Sequence, residues 1–326
     1  MHLHDQKTTF QTAVRSRHGR MLSVITPCYN EEESIDVFLQ RLKPILDSLR
    51  IEYEVIFIND GSIDRTLSIL IEQCATDIRV KTINLSRNFG KDIAMTAGLD
   101  AAVGDMVIPI DVDLQDPPEL IPDFVLAWEA GADMVIGVRI RRNSDSFIKR
   151  LSANTFYWLF NAVAEVPVVA NAGDFRLLSR PVVDVLKQLP ERRRFMKGLF
   201  NWVGFKQVLI PYDRPLRAAG SSSWKYWKLW NFALDGITSF STMPLRIWTY
   251  IGLMLAVVSS VYALYVVSRT LFYGIDVPGY ASLLVIMLIG FSAIMIALGI
   301  LGEYVSRIYD EVKSRPIYIV KDRFGF

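Results

Sequence analysis

Between residues 21 and 138, short apolar runs alternate with amphipathic stretches. The runs at 22–26, 54–58, 80–85, 106–110 and 133–138 read as strands. They are near-continuously apolar, as strands buried on both faces of a parallel sheet must be. Helical periodicity falls between them: over 31–49, from near Asp64, over 91–103, and after Pro117-Pro118. Asn30 is the expected N-cap of the first helix, with acidic residues in its first turn. This β-α-β-α order predicts an α/β fold with a Rossmann-like, doubly wound and mostly parallel sheet. Beyond it, 152–164 reads as a helix carrying Phe156, Tyr157, Trp158 and Phe160, and 202–211 returns as a strand.

The pattern then changes. Residues 247 to 268 carry no charge over 22 positions, and 277 to 302 none over 26. Each is long enough to cross a hydrocarbon core of about 30 Å as a helix. The short connection between them makes a hairpin with both ends on one side. Arg246, Lys225 and Lys228 flank one end of it, with Arg307, Lys313, Arg315, Lys321 and Arg323, while only Arg269 sits at the other. The excess of positive charge places the large N-terminal domain and the C-terminal tail in the cytoplasm of a plasma or inner membrane. Trp224, Trp227, Trp230 and Phe240 among lysines predict interfacial helices before the first span. The expected organisation is a mobile extension (1–20), an α/β domain (21–222), interfacial helices (223–246), two spans (about 247–268 and 279–302) and a tail (303–326).

Composition agrees with membrane attachment: 51% of residues are hydrophobic and mean hydropathy is +0.26. A net charge of +2 gives no general case for nucleic acid. Two cysteines, Cys28 and Cys74, make no disulfide framework and point to a reducing compartment. Residues 1–20 lack the apolar core of a signal peptide. Metal binding by His2, His4 and His18 is the weaker reading of that polar stretch.

The candidate chemistry gathers where strands end. In an open α/β sheet, ligands bind beyond the carboxyl ends of the strands. The loops there are Pro27-Cys28-Tyr29-Asn30-Glu31, Asn59-Asp60-Gly61-Ser62, Ser86-Arg87-Asn88-Phe89-Gly90-Lys91 and Asp111-Val112-Asp113-Leu114-Gln115-Asp116. All are polar, the pattern of one shared site. Alternation along an extended chain would aim Asp111, Asp113 and Gln115 the same way. Two carboxylates and an amide oxygen suit Mg²⁺ or Mn²⁺, which in turn would hold a diphosphate. Taken alone, the same residues also fit an acidic turn in which Asp116 or a neighbour caps the next helix. Asp174 and Arg176, in an apolar segment, fit either a buried ion pair or a catalytic carboxylate beside a phosphate-binding arginine. The basic run Arg139, Arg141, Arg142, Lys149 and Arg150 fits a solvated surface or a loop closing over an anion. No G-x-G-x-x-G follows the first strand, which argues against a dinucleotide-dependent oxidoreductase.

In order and spacing, Pro27-x-Tyr29-Asn30-Glu31, Asn59-Asp60-Gly61-Ser62-x-Asp64-x-Thr66, Asp111-x-Asp113-Leu114-Gln115-Asp116-Pro117 and Gly173-Asp174-Phe175-Arg176-Leu177 together resemble family 2 glycosyltransferases of the GT-A fold. The likeness is to the polyisoprenyl-phosphate branch, which includes dolichol-phosphate mannose synthases. Phe89-Gly90-Lys91, Phe195-Met196-Lys197-Gly198, Trp227-Lys228-Leu229-Trp230-Asn231 and Gly302-Glu303-Tyr304 resemble most the bactoprenol glucosyltransferases of O-antigen modification. The likeness spans about residues 21–320. It implies inverting transfer of glucose from UDP-glucose to undecaprenyl phosphate. It also implies that Pro27, Tyr29, Glu31 and Asp60 line the nucleotide pocket, with Arg87 and Lys91 nearby. Asp111, Asp113 and Gln115 would hold the metal, Asp174 would be the catalytic carboxylate with Asp113 and Arg176 beside it, and Arg139, Arg150, Arg176 and Arg217 would grip phosphates. A phosphate monoester has a second pKa of about 6 and is mostly a dianion at neutral pH. Asp174 is therefore expected to orient a substrate rather than to remove a demanding proton.

One position departs from the family pattern. Where the family carries G-x-S-K and an aromatic, this chain has Gly220-Ser221-Ser222-Ser223-Trp224, and Lys225 is the candidate replacement for the missing lysine. The rival readings are another donor or lipid on the same architecture (GDP-mannose with dolichyl phosphate, a UDP-N-acetylhexosamine, a modified arabinose) and a non-catalytic membrane scaffold. A processive polysaccharide synthase would need more spans, and no Q-x-x-R-W is present. The aromatic segment 224–245 and Gly290, Gly299 and Gly302 are the expected packing surface of a homo-oligomer.

Overall fold

The computed structural model describes residues 15–16, 18–140, 172–192, 194–213, 243–273 and 279–326. The expected helix at 152–164 and most of the expected interfacial segment lie outside them.

Five runs form the expected strands: β1 (Met21–Cys28), β2 (Glu52–Asn59), β3 (Val80–Leu85), β4 (Met106–Pro109) and β5 (Met134–Arg139). Helices α1 (Ile35–Ser48), α2 (Thr66–Thr76), α3 (Lys91–Ala101) and α4 (Ile121–Glu129) alternate with them. After β5 come β6 (Ala172–Ser179), α5 (Arg180–Gln188), α6 (Met196–Trp202) and β7 (Gln207–Tyr212). Two long helices follow, α7 (Met243–Tyr273) and α8 (Tyr280–Val312), and then β8 (Val320–Phe324). The eight strands form one sheet in the order β7-β5-β6-β4-β1-β2-β3-β8.

The block β3-β2-β1-β4 is parallel throughout. Chain order reverses between β1 and β4, so the loops leaving those two strands diverge and open a crevice. Both faces are covered. Val24, Val55 and Phe57 pack with Phe38, Leu42, Leu46 and Phe124 on one side. Ile25, Ile56 and Ile58 pack with Met95, Leu99, Val183 and Phe200 on the other. This double burial is why the strands lack simple polar alternation.

β6 is a strand that the apolar pattern does not announce. It lies antiparallel between β4 and β5, pairing Val107 with Leu178 and Val135 with Leu177. It thereby brings Asp174 in from the far half of the sheet. Asn30 also departs from expectation: α1 starts at Ile35, with Ser34 at its N-cap. Asn30 instead takes a left-handed conformation (φ 55°), which asparagine tolerates, and accepts the Ile63 N–H at 2.9 Å.

The C-terminal stretch is not a free tail. β8 pairs antiparallel with β3, matching Thr82 to Phe324 and Asn84 to Asp322. Ser86 N–H donates to Ile319 O, and Tyr318 O–H donates to Asp100 at 2.8 Å. At the other end of the domain, Arg15 donates to Asp133 at 2.6 Å and lies over Trp128, so the end of the expected extension is anchored.

α7 and α8 touch each other and leave their apolar side chains outward, with none of the most apolar window of either helix buried. Length and composition allow both to cross a membrane. A Cβ added at Gly252, Gly290, Gly299 or Gly302 would meet no atom of the described residues within 4 Å.

Candidate active site

The first loops of the crevice are laced together. Asn30 N–H donates to Ser62 Oγ at 3.0 Å, Glu31 N–H to Thr66 Oγ1 at 2.8 Å, and Arg65 N–H to Glu32 Oε2 at 2.9 Å. Asp64 accepts the Thr66 N–H at 3.0 Å and so opens α2. Ser62 and Thr66 therefore fasten the loop after β2 to the loop after β1. Pro27 and Glu31 are half-buried, and Tyr29 is 46% exposed.

Asp60 is buried and accepts two backbone N–H groups, Phe89 at 2.7 Å and Gly90 at 2.9 Å. Burial pushes its carboxyl up, outweighing those two hydrogen bonds and the charge of Arg87. The contact locks the loop after β2 to the loop after β3. Gly61 makes it sterically feasible: a Cβ there would lie 2.4 Å from the Arg87 carbonyl carbon. Gly90 then turns the chain at φ 98°, open to glycine at no steric cost, into α3. Arg87 is exposed, 4.0 Å over the Phe89 ring.

Lys91 opens α3, and its ammonium lies 2.8 Å from Asp111 Oδ2 and 2.8 Å from Asp174 Oδ2. One cation thus joins the loop after β4 to the start of β6. Desolvation opposes its charge, but the two carboxylates outweigh it and hold its pKa well above the ordinary lysine value.

The acidic loop leaves the strand sooner than expected. β4 ends at Pro109, a turn occupies Val112 and Asp113, and Leu114 is left-handed at φ 56°. Burial nonetheless alternates: Asp111, Asp113 and Gln115 are partly open, while Val112, Leu114 and Asp116 are buried. The three oxygen-bearing side chains are therefore the partly exposed ones of this loop. Asp113 Oδ1 accepts the Gln115 N–H at 3.1 Å. Among the described residues no group of three or more His, Cys, Asp or Glu is placed to hold a metal. Two carboxylates and an amide leave coordination positions for diphosphate oxygens, the usual arrangement for Mg²⁺ at phosphate sites. An ammonium already sits against Asp111, so the position accepts a cation.

Asp116 does not cap the following helix. It is 2% exposed and receives Arg139 Nη2 at 3.1 Å and the Tyr212 hydroxyl in a short hydrogen bond. Arg139 Nε donates to Tyr212 Oη at 3.0 Å. Gly173 provides room, since a Cβ there would lie 3.0 Å from Arg139 Nη2. The acidic loop is thus clamped to the ends of β5 and β7, and this arginine is engaged by protein groups. Tyr212→Phe strips a donor from a buried carboxylate, at an expected cost of about 1–3 kcal/mol. Thermal unfolding should show the loss.

Asp174 is 14% exposed. Its Oδ2 faces Lys91, and its Oδ1 is buried with no hydrogen-bond partner among the described residues. Desolvation raises its carboxyl, but Lys91, Lys197 and Arg176 outweigh this and hold it far below the ordinary range. Arg176 is 1% exposed, with its guanidinium 4.0 Å over the Phe200 ring and Nη2 donating to Gly173 O at 2.6 Å. It lies beneath the site, and burial pulls its pKa down to about 10, against the attraction of Asp174.

Asp92 joins this group unannounced by any motif. Burial first, then the neighbouring Asp174, raises its carboxyl to about 7, opposed by Lys91, Lys197 and the Met196 N–H. Repulsion drives the two carboxyl groups apart, and Asp92 is the one that holds a proton below about pH 7. A raised native pKa favours the protonated native state. The resulting stability is fully present below the unfolded value of about 4 and is lost as pH rises through about 7. Asp92→Asn should flatten that decline in unfolding temperature between pH 5 and 8. The readable signal was an acid beside the site lysine at a helix start. Lys197 and Tyr212 carried less, one in a basic cluster and the other at a strand end.

That basic cluster is otherwise structural. Arg192 donates to Glu311 and to Arg315 O, while Arg194 donates to Leu186 O within α5 and to Leu189 O just after it. Arg150, Arg217 and Lys225 lie outside the described residues.

Comparison with known proteins matches residues 23–186 to the family model "Glycosyl transferase family 2". A bactoprenol glucosyl transferase from an SfII prophage of Shigella flexneri is 50% identical over 92% of this chain and 97% of its own. An uncharacterized glycosyltransferase of Synechocystis is 49% identical over 93% and 96%. A prophage bactoprenol glucosyl transferase homolog of Escherichia coli is 48% identical over 92% and 98%. Among solved structures, glucosyl-3-phosphoglycerate synthase of Mycobacterium tuberculosis aligns at 21% identity, TM-score 0.46, over 68% of this chain and 79% of the other.

Proposed function

The chain belongs to glycosyl transferase family 2, as a glycosyltransferase of GT-A fold, and we propose that it moves a hexose, glucose, from UDP-glucose to undecaprenyl phosphate. The product is glucosyl-phosphoryl-undecaprenol, formed with inversion at the cytoplasmic face of the membrane. Relatives about half identical over nearly the whole chain, named as bactoprenol glucosyl transferases, support the lipid acceptor. Two apolar helices in the same chain as the site support it independently.

One observation carries the reading: Lys91 ties Asp111 to Asp174 at 2.8 Å each. A diphosphate-binding carboxylate and a substrate-orienting carboxylate are thereby brought within one side chain's reach. Pro27, Tyr29, Glu31 and the loop held by Asp60 line the nucleotide side, with Arg87 at its mouth. A divalent ion, Mg²⁺ or Mn²⁺, would be held by Asp111, Asp113 and Gln115 and would neutralise the departing diphosphate. Asp174 orients the sugar or the acceptor, and its low pKa keeps it ionised. The acceptor dianion attacks the anomeric carbon as the bond to UDP breaks, and positioning and charge stabilisation do most of the work. Arg150 and Arg217 remain candidates for the acceptor phosphate. Arg139 would have to leave Asp116 to join them. Lys225 is proposed to take the place of the family lysine.

A donor panel tests this. Purified protein receives undecaprenyl phosphate, Mg²⁺ or Mn²⁺, and in turn UDP-glucose, UDP-N-acetylglucosamine, UDP-galactose or GDP-mannose, with lipid product read by mass. Transfer from UDP-glucose alone is expected. Transfer from another donor would reassign the sugar, and binding of nucleotide with no transfer from any donor would favour the scaffold.

A further inference from the structure

Lys91 stands where helix physics disfavours it. The first turn of a helix carries the positive end of the dipole, and a cation there is repelled by it. Nothing in α3 itself calls for a lysine at that position. What holds it is external: Asp111 from the loop after β4 and Asp174 from β6, each 2.8 Å from one ammonium. The placement is built, because Asp60 grips the two N–H groups just before it and Gly90 makes the turn. Lys91 keeps 44% of its side chain open to solvent, while its ammonium is held between the two carboxylates.

Asp111 has two suitors. It pairs with Lys91, and it is a proposed ligand of the divalent ion. An oxygen that coordinates Mg²⁺ lies at about 2.0–2.1 Å from the ion. An ammonium within hydrogen-bond distance of that same oxygen would then face a double positive charge at close range. The two cations cannot share Asp111 Oδ2 comfortably, and one must yield.

We propose that Lys91 is the resident cation of the nucleotide-free site, neutralising Asp111 and Asp174, and that it transfers from Asp111 to the diphosphate when nucleotide and divalent ion arrive. The inference rests on the reading of Asp111, Asp113 and Gln115 as metal ligands. Metal alone must displace the ammonium from Asp111 and leave it Asp174 as its one remaining partner, and so binds weakly. With a nucleoside diphosphate present, the ammonium has a new partner and the metal gains phosphate ligands. Metal and nucleotide therefore bind cooperatively, and the coupling is reciprocal.

The test measures free Mn²⁺ by its electron paramagnetic resonance during titration of the full chain in detergent, with and without UDP. In the wild type, UDP should tighten Mn²⁺ binding by about tenfold or more. In Lys91→Met, Mn²⁺ alone should bind about tenfold tighter than to the wild type, and the effect of UDP should shrink. Lys197→Met is the control for general charge, since Lys197 acts on Asp174 without a contact to Asp111. Equal Mn²⁺ affinity with and without UDP in the wild type overturns the proposal. So does a Lys197→Met variant that gains as much as Lys91→Met, or a Lys91→Met protein that binds UDP yet gains no Mn²⁺ affinity. If Lys91→Met does not fold, Lys91→Gln gives the same contrast. Asp113→Ala separates the two levels of inference. Loss of Mn²⁺ binding there upholds the metal site on which the Lys91 argument depends, and retained binding removes that site and the argument with it.

Discussion

Asp111→Ala is expected to lower transfer by about two to three orders of magnitude, the usual cost of removing a group that stabilises charge developing on a leaving oxygen. The substitution acts twice. It removes a carboxylate from the proposed metal site, and it releases Lys91 from one of its two partners. Lys91 is then left to Asp174 alone. Because the charge to be stabilised grows as UDP departs, the loss should fall mainly on turnover, with nucleotide binding less affected. Single-turnover transfer from labelled donor, read beside a UDP binding isotherm, separates the two. A variant with full turnover and only a weaker isotherm would mean that Asp111 merely binds ground-state nucleotide.

Asp174→Asn should be nearly as damaging, by about 10²-fold, the usual cost of a misplaced reacting group. It keeps the shape and removes the charge. Lys91 and Lys197 then lose the anion that holds the group together, and the buried Oδ1, free of protein partners among the described residues, no longer presents a full negative charge to a substrate hydroxyl or ammonium. The pH profile distinguishes positioning from proton removal. Asp174 is ionised far below neutrality, so the wild-type rate should show no acid limb that disappears in Asp174→Asn. A limb near pH 6–7 that does disappear would recast this residue as a general base with a near-neutral pKa.

Much of this site was legible because its residues stand in short, ordered runs at strand ends. Apolar runs located five of the strands to within two residues at most ends, and the loops after them held the polar groups that the fold then gathered. What escaped was set by pairing across long separations. No local pattern says that β6 inserts antiparallel between β4 and β5, or that Asp174 thereby meets a lysine from α3. Arg139 and Arg176 read as anion-gripping cations, but a sequence does not show that one is answered by Asp116 and Tyr212 and the other roofed by Phe200. The stretch Asn59 to Thr66 reads as nucleotide-binding chemistry, whereas most of its side-chain hydrogen bonds fasten one loop to the next. The acidic loop kept its alternation of burial without remaining a strand, because a left-handed Leu114 re-aims the chain.

The last strand changes what the two apolar helices are in topological terms. Since Val320–Phe324 completes the edge of the same sheet that ends at β7 on its other side, α7 and α8 form an insert within a domain, not an appendage after it. Asn84 donates to Asp322 at 2.9 Å and accepts from Asn59 at 2.9 Å, so the seam reaches the strand that leads into the Asp60 loop. Excision of α7 and α8 with splicing that retains the final residues would therefore keep the sheet whole. Simple truncation ahead of α7 would strip β3 of its partner and leave a bare edge, the kind of surface that recruits strands from neighbouring molecules.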